Sequence, residues 1–145
     1  MNFEKLQIVR DTIAKKPEHF NMINFLDTIG NNVKMPDCAS EYLTTCGTVA
    51  CIAGYTVAIF EPNHCRFYIS KTARSILKLS ENAANYIFFG KWSLNNLSDI
   101  SVEETLWYLD GVLKTKDIRW NKKSRKYWPM VGGCWNCLLL SNNEE

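Results

Sequence analysis

The sequence predicts a mainly α-helical fold, a compact helical domain built around a buried central helix at 46–60, and three observations carry that prediction. No charged residue falls between Tyr42 and Phe60, and apolar residues occupy every side of a helical projection there; a helix apolar all round is normally a buried one. Ala50, Gly54 and Ala58 recur at i, i+4 and i+8, a ridge almost without side chains on which a neighbouring helix can pack closely. Caps followed by apolar stripes recur along the rest of the chain, whereas no period-two alternation stands out upstream of residue 115.

The first helix is read from Phe3, Leu6, Val9 and Ile13, with Asn2 as cap, Lys15 and Lys16 at its end, and Pro17 as its stop. A short second helix is expected over 21–29, capped by Asn21, with Met22, Phe25, Leu26 and Ile29 inward and Gly30 as its stop. Residues 31–43 read as a loop into the central helix, for which Thr44 and Thr45 supply capping hydroxyls and Pro62 the end. Residues 63–70 stay ambiguous between a strand and a link. Ser70 and Ser80 each suit the start of a helix, and Ser101 with Glu104 fits a capping box ahead of the stripe Val102, Leu106, Leu109 and Leu113.

At 145 residues the chain suits one core. Residues 1–115 are expected to form the helical domain, and residues 116–145 a basic, aromatic tail packed on it as a short hairpin or an irregular arm. The central apolar run carries four threonines, two glycines and Tyr55, which disfavours a membrane span of ~20 predominantly apolar residues. The amphipathic start of the chain lacks the apolar run of a signal peptide, so a cytoplasmic location is expected, with the six cysteines as free thiols. Cys134 and Cys137 have zinc-knuckle spacing but no second close pair, and no metal or other cofactor is expected.

Cys46, Gly47, Thr48, Cys51, Ala53 and Gly54 form a Cys-Gly-Thr-x-x-Cys-x-Ala-Gly segment. With Pro17-Glu18-His19-Phe20-Asn21-Met22 upstream and the Leu-x-Leu-Ser and Ile-Phe-Phe pattern at 77–89, it resembles a group of short, uncharacterised bacteriophage and bacterial proteins. The resemblance covers roughly residues 5–113 and omits the tail. It implies a phage-type accessory protein, working in the bacterial cytoplasm, that binds a host factor such as a defence component or an anionic nucleotide signal.

Three groups of residues carry candidate chemistry. Net charge is only +2, yet seven basic residues and one acid lie between Lys114 and Lys126. Lys122, Lys123, Arg125 and Lys126, with Trp120 and Trp128, combine charge for phosphates with faces for stacking, so a host protein, nucleotide or nucleic acid is the expected partner. Thr44, Thr45, Gly47 and Thr48 form a possible anion site at a helix start. Cys46, in the first turn of the expected helix, supports the alternative of a cysteine-dependent hydrolase, because a helix N-terminus lowers a thiol pKa. Its surroundings are similar to the nucleophile segment of papain-like proteases but lack that family's tryptophan. The chain's histidines are His19 and His64, neither fixed beside Cys46 by the sequence.

Overall fold

The computed structural model describes residues 1–28, 34–46 and 48–121. Five helices, α1 (Phe3–Lys15), α2 (Ile52–Phe60), α3 (Ile69–Leu77), α4 (Glu81–Phe88) and α5 (Val102–Thr115), pack around a common core. A two-stranded antiparallel ribbon, β1 (Leu26–Thr28) and β2 (Thr48–Ala50), lies beside them in the register Leu26↔Ala50 and Thr28↔Thr48. The mainly helical prediction is therefore met.

Local signals explain most of the helices. Asn2 Oδ1 accepts from Lys5 N–H at 3.0 Å, and Leu6, Val9 and Ile13 of α1 are fully buried. Ser80 Oγ accepts from Ala83 N–H at 3.2 Å at the start of α4, and Ser101 Oγ from Glu104 N–H at 3.1 Å at the start of α5. Each satisfies one of the donors that a helix start leaves open. The second half of the expected capping box is replaced. The nearly buried Glu104 carboxylate accepts instead from the Ser93 hydroxyl and, at 2.9 Å, from the Asn95 amide. It thereby ties α5 to the loop after α4.

Three expectations are corrected. Helix α3 begins at Ile69 behind Tyr68, so Ser70 lies inside it and does not stand at its start. The central helix begins at Ile52, because Thr48–Ala50 are extended and pair with β1, and Cys51, not Thr44 or Thr45, stands at its N-terminal boundary. No helix forms over 21–28: Asn21 N–H donates to Ala50 O, Cys51 N–H donates to Asn24 O, and Leu26–Thr28 form β1. Ile29 and Gly30 lie outside the described residues.

Within its true bounds α2 is the buried centre. Ile52, Ala53, Tyr55 and Val57 have no accessible surface, and α1, α3, α4 and the turn Ala39–Leu43 surround them. The Gly54 approach is made by backbone, not by a helix. A Cβ there would lie 1.7 Å from the Phe25 carbonyl oxygen.

The first and last described helices lie side by side, clamped by Arg10, whose Nε and Nη2 donate to the two carboxylate oxygens of Asp110 at 2.7 and 3.0 Å. Behind α5, Trp92 stacks on Tyr108 with ring centroids 4.3 Å apart. The start of the tail packs here as well. Tyr108 OH donates to Ile118 O, and Asn121 Nδ2 donates to Trp92 O. Among the described residues, no helix is long and apolar enough to cross a membrane.

Candidate functional site

The described surface gathers cations and aromatic rings at the start of α3. After α2, Pro62 and His64 are pinned to the turn Ala39–Leu43, their carbonyls accepting from Ser40 N–H at 3.1 Å and Ala39 N–H at 2.9 Å. His64 then fastens the segment to α3. Its Nδ1 donates to Cys65 O, and its Nε2 lies 2.9 Å from the Thr72 hydroxyl. Held at both ends, residues 66–68 project outward.

Arg66 lies over the Phe67 ring at 5.2 Å. Tyr68 adopts φ 59° and ψ 25°, a left-handed conformation that is an outlier for a bulky side chain. Tyr68 is 79% exposed and Phe67 59%. The Tyr68 carbonyl accepts from Thr72 N–H at 3.0 Å at the start of α3 while the ring faces water, and backbone strain of this kind tends to cluster at functional sites.

An open groove of about 470 Å³ lies between this segment, α4 and Phe25. Lys71 stands exposed on the first turn of α3. One turn on, Arg74 donates from Nε to Leu79 O at 3.3 Å and sits 3.7 Å from the Glu81 carboxylate across the groove. Phe25 forms part of the apolar wall and is braced edge-on by Phe89 with centroids 5.9 Å apart. Arg66, whose guanidinium donates to Met35 Sδ and lies over Phe67, lines the groove with Lys71 and Arg74, and Glu81 is the single acid among the lining residues.

The residues singled out by sequence sit elsewhere. Cys46 is exposed in the turn before β2 and not in a helix. Both histidines direct their ring nitrogens to other groups: His19 Nδ1 donates to Thr48 O at 3.0 Å and its Nε2 faces Glu18, while His64 binds as described above. Thr44 and Thr45 belong to the turn too, and Thr48 opens β2. Thr44 Oγ1 donates to Glu41 O, and Thr48 Oγ1 lies within hydrogen-bond distance of the Tyr42 and Thr45 carbonyls. Thr44, Thr45 and Thr48 therefore do not stand at a helix N-terminus, and Gly47 lies outside the described residues. Cys51 is the buried thiol of the motif, and burial pushes its pKa up to about 11.

Of the tail residues, Trp120 packs on α5, with its ring centroid 4.6 Å from that of Trp107 and Nε1 donating to Tyr108 O at 3.1 Å. Lys122, Lys123, Arg125, Lys126 and Trp128 lie outside the described residues, as do Cys134 and Cys137. Among the described residues, no group of three or more His, Cys, Asp and Glu side chains could hold a metal ion.

The groove escaped the sequence reading although it uses the same signal as the tail. Arg66, Phe67, Tyr68, Lys71 and Arg74 interleave cations with rings, but they span an element boundary, and Phe25 joins them only through the fold. No family model matches the chain, and no curated protein or solved structure matches it.

Proposed function

We propose that the protein is a small accessory protein of the bacteriophage type that acts by binding a negatively charged host factor in the host cytoplasm. The observation that carries the proposal is the convergence of Arg66, Lys71 and Arg74 with the exposed rings of Phe67 and Tyr68 on one groove. Cations placed beside exposed apolar faces provide both long-range attraction and a contact surface once the partner arrives. The phage-type part rests on the Cys46–Gly54 motif. The basic run Lys122, Lys123, Arg125 and Lys126 adds charge of the same sign, so an anionic partner is steered toward the molecule at a rate that falls as salt screens the field.

Two charge-reversal variants test this. One carries Arg66→Glu and Lys71→Glu; the other carries Lys122, Lys123, Arg125 and Lys126 each changed to Glu. All six positions are compared with wild type in a pull-down from host lysate and a nucleotide panel, at low and high salt. Both variants should stay folded. The groove variant should lose at least tenfold in affinity for whatever the wild type retains. Equal retention by both variants at both salts would refute the proposal, and loss in the tail variant alone would move the contact to 122–128.

A further inference from the structure

We infer that the groove in front of α3 takes a free nucleotide, its base against Phe67 and Tyr68 and its phosphates against Lys71, Arg74 and Arg66. The inference rests on the anionic-partner proposal above and names the partner.

Size favours a small ligand. The groove is open on one side and offers about 470 Å³, within the ~300–1,000 Å³ of small-molecule sites. Eleven residues line it, whereas a standard protein interface uses about 20–30 on each side. A nucleic-acid strand calls for a charged track that follows the backbone over several nucleotides, but here three cations cluster on residues 66–74.

Chemistry narrows the class. Three cations against Glu81 leave two positive charges in surplus, which attract a phosphate chain. A simple anion would leave the rings unused. Tyr68 offers a flat face open to solvent and Phe67 the face that Arg66 leaves uncovered, and one such face contributes roughly five- to a hundredfold in affinity per stacked base. Glu81 and Asn85 on α4 add acceptors and a donor for a sugar hydroxyl or a base edge. Charge, flat apolar faces and edge-reading polar groups together describe a nucleoside phosphate.

The test is isothermal titration of the full chain with the four common ribonucleoside triphosphates, their nucleosides, inorganic phosphate, a short oligothymidylate and a glutamate-rich peptide. At least one triphosphate should bind, with its nucleoside and inorganic phosphate each at least tenfold weaker. Tyr68→Gly is the informative variant, because glycine accepts φ near +59° without strain and so removes the ring while keeping the fold. It should weaken triphosphate binding about tenfold. Lys71→Gln should weaken it too and flatten its salt dependence. Triphosphate binding that neither variant alters would overturn the site, and tighter binding of the oligothymidylate would overturn the choice of a free nucleotide. Binding of the acidic peptide alone, lost in Lys71→Gln but unchanged in Tyr68→Gly, would overturn the nucleotide and leave the anionic-partner proposal standing. Salt-independent or absent binding of every probe would overturn both.

Discussion

Gly54→Ala is the sharpest test of how the core is assembled. In most helix interiors this change stabilises by about 1 kcal/mol, since alanine is the better helix former. Here the new Cβ would lie 1.7 Å from the Phe25 carbonyl oxygen and 2.8 Å from the Ala50 Cβ. A carbon does not approach that close, so α2 or the Phe25 backbone has to move by roughly an ångström. Neither moves freely. Phe25 lies between Asn24, whose carbonyl accepts from Cys51 N–H at 2.8 Å, and Leu26, which pairs with Ala50. Overpacking alone costs ~1–3 kcal/mol, and each backbone hydrogen bond lost adds about 1 kcal/mol. With two such bonds disturbed and the propensity gain subtracted, a net loss of about 2–4 kcal/mol follows. Urea unfolding followed by far-ultraviolet circular dichroism measures it, as a midpoint lowered by about 1–2 M at a slope near 2 kcal/mol/M. A midpoint within about 0.3 M of wild type, with an unchanged slope, would refute the close-approach argument.

Two further outcomes can be checked with the same material. Glu104→Ala removes the acceptor shared by Ser93 and Asn95 and should destabilise by about 2–3 kcal/mol in urea, with Glu104→Gln intermediate. The Cys51 thiol, raised from 9.0 to about 11 by burial, keeps its proton in the folded chain after the unfolded chain has released it. Its contribution is therefore complete below about pH 9 and is lost as pH rises toward 11, a fall of about 2–3 kcal/mol that a Cys51→Ala variant should not show. Burial also raises the phenols of Tyr55 and Tyr108, so stability should keep falling above about pH 10 in both proteins.

Signals that act within one turn of chain were readable before the fold. Asn2, Ser80 and Ser101 cap α1, α4 and α5 as their side-chain chemistry dictates, and the spacing of Leu6, Val9 and Ile13 reports the buried face of α1. Apolar runs were less informative. Residues 48–50 and 52–58 are buried on all sides, and a short fully buried strand has the same composition as a buried helical turn. That ambiguity moved the central helix start from Ile52 back to Cys46. With it Cys46, Thr44 and Thr45 acquired a helix terminus they do not have. The 21–29 segment failed for a related reason: its apolar residues fit a helical period, but Ala50 and Cys51 take up its hydrogen bonds. Tyr68 carried no cue at all, since nothing in a tyrosine announces a left-handed backbone. The groove depends on that conformation and on Phe25, about forty residues away in the chain.

The pairing of α1 with α5 has a consequence for the order of events during synthesis. Arg10 and Asp110 are separated by 100 residues, so α1 leaves the ribosome well before α5, its principal neighbour among the described helices. At ~5–20 residues per second, the interval between them is roughly 5–20 s. Until α5 emerges, Leu6, Val9 and Ile13 lack part of the cover they have in the finished molecule. A nascent chain in that condition displays an apolar stripe of the type chaperones hold, and truncation before residue 102 would make the exposure permanent. Such fragments should aggregate even though the first four helices are intact in sequence.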